Sequence, residues 1–313
     1  MKMSKSMVEM MLCLARSMET LPKIAKESKL SINRCSELAT RLEKAGLASK
    51  SRSRKGLRLR LANSSPAESF RKMYLAMPHM RYGEFLYGNK LEILKLILYE
   101  EKSVKTLARI SGIKERTIRE NLRQLGNPQL YWRKKGKYSF PRQGYPLLFD
   151  FLGSLRNFTS ENKRILWKCN EEELFKVRDA KFANGCLTGL NAYGNFGVLV
   201  NTIEYFCSQP CNRLSKNEVF VHSMLEIKNE PRILGMAIAF YLKNSMEKEN
   251  IGFLLSKYDC VGAFREFKRT IDEYKNSKSE LIKNTIIPSI TLREIERILD
   301  IYGVKDVRKR QHN

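Results

Sequence analysis

Residues 20–46 read "TLPKIAKESKLSINRCSELATRLEKAG". Thr20 is placed to cap a helix, and Pro22 falls in its first turn, where a missing N–H costs nothing. Ile24 and Ala25 would face inward. "KLS" breaks the helix, and Ser31 caps a second one that ends at Gly46. Its inward set is Ile32, Cys35, Leu38, Ala39 and Leu42. Upstream, residues 4–16 carry Met7, Met10, Met11 and Leu14 at three-and-four spacing, the mark of a helix with one apolar stripe. Downstream, "SRSRKGLRLR" (51–60) reads as two basic strands around a Lys55-Gly56 turn. Leu57, Leu59 and Leu61 alternate there with Arg58 and Arg60.

Helix, helix, turn, helix, hairpin is the order of a winged helix, whose second and third helices form a helix-turn-helix and whose hairpin is the wing. The pattern returns. "SVKTLARISGIKERTIRENLRQLG" (103–126) aligns with the opening stretch at an offset of 83. Ile24 matches Leu107, Ala25 matches Ala108, Ser28 matches Ser111, Leu30 matches Ile113, Cys35 matches Ile118, Ala39 matches Leu122 and Leu42 matches Leu125. A leading helix (89–102) precedes this copy. A second hairpin, "LYWRKKGKYSF" (130–140), follows it with a Lys135-Gly136 turn.

The expected fold class is α+β and mostly helical: two tandem winged-helix domains, then a mixed α/β domain. The first winged helix covers 1–63, a linker 64–88, the second winged helix 89–143, a connecting helix 144–160 and the α/β domain 161–313. The helix in 144–158 would pack back on the wings or form a dimer seam. In the last domain, "RILWKC" reads as a short strand followed by a polar loop or helix, and "NEVFVHSML" (217–225) as a strand. Helices follow in "PRILGMAIAFYLKN", "NIGFLLSKYD", "VGAFREFKRTIDEYKNSK" and "TLREIERILDIYG".

The chain of 313 residues has a net charge of +25. Residues 1–62 hold 15 Lys/Arg against 5 Asp/Glu, and residues 63–160 hold 18 against 8, a net +10 in each. Residues 161–313 carry only +5. Such an excess points to an anionic partner, met by the first half. The seven cysteines are odd in number and scattered, the usage of a reduced cytosolic protein whose thiols act as small hydrophobes. The start has no cleavage site, and the longest apolar run (233–242) is too short to span a membrane. A soluble cytoplasmic protein without a membrane partner is expected.

The third helix of each unit would enter a major groove and present side chains to base edges. These are Asn33, Arg34, Glu37 and Arg41 in the first unit, with Lys114, Arg116, Thr117, Arg119 and Arg123 in the second. The wing cations would sit on phosphates: Arg52, Arg54, Lys55, Arg58 and Arg60, then Arg133, Lys134, Lys135 and Lys137. Cys207, Cys211 and His222 have loose zinc spacing, with Cys186 or an acid as the nearby candidates for a fourth ligand, but the tight C-x2-C pairs of most zinc ribbons are absent, so no metal is expected. Gly185, Gly189, Gly194 and Gly197 form no phosphate loop and read as close-packing positions. No catalytic set and no cofactor site emerge.

The first 145 residues resemble the tandem winged-helix arrangement of archaeal and bacterial transcription regulators. The segment "CLTGLNAYGNFGV" (186–198), with "VFVHSML" and "PRILGMAIAF" after it, resembles the AbiEi-type antitoxin and regulator proteins, although two winged helices stand here in place of one. That resemblance implies a repressor of its own operon that can also neutralise a partner toxin.

The expected function is sequence-specific binding of double-stranded DNA by a non-enzymatic transcription regulator. The alternatives are a replication initiator or partition protein of a mobile element, a nucleic-acid or nucleotide-processing enzyme acting through the last domain, and an RNA-binding protein. A homodimer and a protein partner for the last domain stay open, as does a monomer spanning two half-sites.

Overall fold

The computed structural model describes residues 3–53, 56–157, 163–228, 230–244, 246, 248–276 and 280–304. The chain is α+β. It divides into two compact units, Met1–Thr159 with Cys169–Glu171, and Ser160–Lys168 with Glu172–Asn313.

Unit 1 opens with α1 (Lys5–Ala15), capped by the Ser4 hydroxyl, which accepts from the Met7 N–H. α2 (Leu21–Ser28) and α3 (Ile32–Lys44) follow. Lys29 between them takes the left-handed conformation at φ 55°, which reverses the chain, and Ser31 then caps α3 through the Arg34 N–H. β1 (Ala48–Ser53) and β2 (Gly56–Leu61) form an antiparallel hairpin, and α4 (Ser65–Ala76) closes this half. The second half has α5 (Gly88–Leu96), β3 (Lys102–Ser103), α6 (Val104–Ser111), α7 (Glu115–Gly126), β4 (Trp132–Lys134), β5 (Lys137–Ser139) and α8 (Pro146–Arg156).

The 83-residue offset holds in three dimensions. α2 and α6 correspond at both ends, and α1 and α5 at their starts. Left-handed Lys29 corresponds to left-handed Gly112. Ser28 Oγ donates to the Ile24 carbonyl at 2.6 Å, and Ser111 Oγ to the Leu107 carbonyl at 2.7 Å. Thr20 bridges Arg58 on β2, just as Ser103 pairs with Lys137 on β5. Ile24, Cys35, Ala39 and Leu42 are fully buried, as are their counterparts Leu107, Ile118, Leu122 and Leu125. One position departs from the expected inward set: Ile32 is 52% exposed, because the first helical residue lies outside the stripe that the preceding helix covers.

The stretch read as a part-helical linker (64–88) does carry a helix, and it is packed structure. α4 buries Ala67, Phe70 and Met73, and the Tyr82 hydroxyl donates to the carbonyls of Met73 and Met77. α5 stops at Leu96, short of the expected 102, and the chain turns into β3. α8 lies on α4, with the Phe70 and Phe151 ring centroids 5.3 Å apart. Its Phe149 ring meets Phe140 at the end of the second hairpin, with centroids 6.2 Å apart, so its apolar side is used inside unit 1. Buried Arg156 caps the arrangement by donating to the Lys95 carbonyl at 2.8 Å.

Unit 2 holds β6 (Arg164–Cys169), β7 (Glu172–Val177), β8 (Cys186–Leu187) and β9 (Tyr205–Gln209) in one sheet of order β6-β7-β9-β8. Around it lie α9 (Lys216–Ser223), α10 (Pro231–Lys243), α11 (Lys248–Lys257), α12 (Val261–Asn276) and α13 (Leu292–Ile301), with a short pair β10 (Leu281–Ile282) and β11 (Ile290–Thr291) before α13. The core is aromatic: Tyr193 stacks on Phe240 at 3.9 Å, and Phe220 meets Phe267 at 5.4 Å.

Two expectations fail here. Residues 217–225 are mostly helix, because Ser215 and Glu218 form a reciprocal capping box that starts α9, which outweighs the β-propensity of Val219, Phe220 and Val221. Residues 172–177 are a strand, since left-handed Asn170 turns the chain so that Leu174, Phe175 and Val177 bury against neighbours. The glycines do pack closely. A Cβ on Gly185 would stand 2.6 Å from the Ser208 carbonyl oxygen, and Gly189 has φ +52°.

The cysteine reading also needs correction. Cys186 and Cys211 form a disulfide that staples β8 to the segment after β9, and the other five cysteines are buried thiols. Alkylation of the unfolded chain should block five thiols before reduction and all seven after it. Blocking of seven without reductant would contradict the pairing. Among the described residues, no helix is long and apolar enough to cross a membrane.

Candidate nucleic-acid interface

α3 and α7 each bury one face and leave the other to solvent. On α3, Asn33, Glu37 and Arg41 are exposed and Arg34 is half-buried. On α7, Arg116, Arg119 and Arg123 are exposed and Thr117 is half-buried, while Lys114 is exposed at its N-cap. Two of these cations are held internally. Arg34 pairs with Glu37 at 2.7 Å, and Arg119 pairs with Glu115 at 2.8 Å. Among the described residues, Arg41, Lys114, Arg116 and Arg123 form no ion pair.

The hairpins behave differently from each other. On β2, Leu59 and Leu61 are buried and Leu57 is half-buried, so one face does lie on the helices. The other face is not free. Glu19, in the turn before α2, holds Arg60 at 2.6 Å and reaches Arg58 at 3.8 Å. The hydrogen bond from Arg60 keeps the Glu19 carboxyl below the usual carboxylate range. In the second half, Glu101 holds Lys137 at 2.8 Å and is likewise lowered. Arg133 lies over the Tyr138 ring at 5.7 Å, and Lys134 and Lys135 are exposed with no ion pair among the described residues. Arg52 is exposed on β1, while Arg54 and Lys55 lie outside the described residues.

Among the described residues, the hairpin cations without an internal ion pair are Arg52 in the first half and Arg133, Lys134 and Lys135 in the second. The sequence reading missed Glu19 and Glu101. Each stands one residue before a position that pairs with the returning strand, a placement that the fold sets and the sequence does not display. Replacing Arg133, Lys134 and Lys135 together by Ala is expected to lower the salt slope of duplex binding by about 2–3 units. Replacing Arg58 and Arg60 should lower it less, because Glu19 already offsets part of their charge. Glu19→Gln should strengthen binding. Titrations by fluorescence anisotropy at several salt concentrations measure all three; weaker binding by Glu19→Gln would contradict the assignment.

The residues weighed as metal ligands are not brought together. Cys211 is in the disulfide and Cys207 is a buried thiol on β9. His222 is buried on α9, with Nδ1 2.6 Å from the Thr188 hydroxyl and its ring edge-on to Tyr258. Among the described residues, no cluster of three His, Cys, Asp or Glu side chains forms a metal site.

Burial, helped by nearby Lys257, pushes the His222 pKa down to about 3. Above pH ~6.5 the imidazole is neutral whether folded or unfolded; below it only the unfolded chain takes up the proton. Stability should thus fall as the pH drops from ~6.5 towards 3, by about 1.4 kcal/mol per pH unit. Between pH 7 and 5.5 the native chain should lose roughly 1 kcal/mol more than His222→Gln does, measured by urea unfolding. Equal losses would show that His222 is protonated in the folded state.

Compared with protein-family models, with curated proteins and with solved structures, the chain finds no match.

Proposed function

We propose that unit 1 is a pair of winged helices that binds double-stranded DNA in a sequence-specific way, and that the chain is a non-enzymatic transcription regulator acting in the cytoplasm. The observation that carries this reading is the recurrence of one frame in both halves: the same left-handed C-cap between the second and third helices, the same buried set and a strand pairing from the segment before the second helix, each with a polar, cation-bearing helix turned outward. A third helix presented in this way fits the major groove, and a hairpin beside it reaches the phosphates. The net +20 of residues 1–160 supplies the attraction. Occupancy of a short site then blocks or recruits polymerase.

Unit 2 serves as the effector, self-association or partner domain, the toxin-neutralising role of the AbiEi-type proteins being one form of this. It has a cavity of about 460 Å³ whose wall includes Lys176, Arg178, Glu204, Glu226 and Arg232, a mixed-charge lining suited to a small polar ligand.

The test is selection of genomic DNA fragments on the purified full chain at about physiological salt, read by sequencing. A few sharp peaks with a shared motif near promoters are expected. Peaks clustered as repeats at a replication origin would indicate an initiator instead. Smooth, salt-sensitive binding to every duplex, or preference for structured RNA, would overturn the reading.

A further inference from the structure

The closing helices of the two halves pack on each other, and they do so through equivalent residues. Counted from their N-caps, Ser64 and Tyr145, which are 81 residues apart where the earlier helices are 83 apart, Phe70 of α4 and Phe151 of α8 occupy the same position, and their rings are 5.3 Å apart. The neighbours correspond too: Ala67 with Leu148 and Met73 with Ser154, all buried. A contact between a residue and its own equivalent is the signature of a two-fold relation. A head-to-tail arrangement would bring two different patches together.

We infer that unit 1 is a dimer built into one chain, and that its target is an imperfect inverted repeat read by a single molecule. This rests on the DNA-binding reading and adds the form of the site. A reading frame with a dyad docks on the dyad of the duplex, which sets two arms of opposite orientation about one helical turn apart, ~10 bp. Because both arms are met by one chain, the second contact is intramolecular, and binding needs no self-association.

The two arms differ in a defined way. At the 83-residue offset, Asn33 on α3 corresponds to Arg116 on α7, and both are exposed. Asn pairs with adenine and Arg with guanine through two hydrogen bonds each. The arm under α3 therefore carries adenine at the position where the arm under α7 carries guanine.

The experiment is selection from a randomised duplex library with the full chain, followed by native mass spectrometry of the selected complex and a repeat selection with Asn33→Arg. Expected are an inverted motif, one chain per duplex, and an adenine-to-guanine change confined to one arm, with a swing in preference of about tenfold or more. The substituted side chain is exposed, so the fold is not at stake, and an unchanged unfolding midpoint checks this. A direct repeat, a single arm or two chains per duplex would overturn the inference and leave DNA binding standing. Selection of no duplex at all would remove both.

Discussion

Duplex affinity of the full chain is expected to fall by about 10³–10⁵-fold between 50 and 200 mM salt. The magnitude follows from the number of phosphates met. Arg52, Arg41, Lys114, Arg116, Arg123, Lys134 and Lys135 are exposed and without internal ion pairs among the described residues. Sharing these and the hairpin-tip cations between bases and backbone gives some 6–10 phosphate contacts, each contributing about 0.9 to the slope. Arg58, Arg60 and Lys137 count for less, since Glu19 and Glu101 already neutralise them in part. A slope below about 3 would mean that the basic half meets only a few phosphates, and that its charge serves another purpose. Fluorescence anisotropy with a fixed duplex across this salt range measures it directly.

The second large effect concerns the seam inside unit 1. Phe151→Ala should destabilise that unit by about 3–5 kcal/mol, the usual cost of an emptied phenylalanine site in a well-packed core. The ring is fully buried and meets Phe70, which is also fully buried. Phe70→Ala should cost a similar amount. The double variant should cost less than the sum, by about 0.5–1.5 kcal/mol, because the two rings share one contact. Urea unfolding of the single and double variants gives the coupling. Additive losses would show that each ring acts in its own half, and the two-fold seam would lose its main support.

The Ser31 cap and the periodic stripes of residues 4–46 and 103–126 were legible because they are local, whereas Thr20, also read as a cap, stands at the start of α2 without a side-chain hydrogen bond to it. A hydroxyl three residues before an N–H, or an apolar residue every third or fourth position, acts within one turn of helix. The offset of 83 was legible for the same reason, since each matched residue plays its part inside its own half. The strand with alternating leucines and arginines, β2, could be read, but not what sits opposite it.

The rest is decided by groups far apart in the chain. Glu19 meets Arg60 only because the segment before α2 lies beside β2, and nothing in "SRSRKGLRLR" reveals that its outer face is partly neutralised. Cys186 finds Cys211 through the pairing of β8 with β9 and the course of the chain beyond it. The stretch 64–88 looked like a linker because it opens on Ser-Ser-Pro, yet Phe70 and Met73 have a surface to bury against once α8 is in place.

By itself, then, the sequence determined two repeated helix–helix–helix–hairpin halves, a strongly basic first half and a nearly balanced second one, since periodicity, capping and charge are properties of short stretches. Which cations remain unpaired, which cysteines join, and that α4 and α8 meet through equivalent residues were decided only by the tertiary structure. Ion pairs, disulfides and packed rings act over a few ångströms, and only the folded chain brings residues dozens of positions apart within that reach.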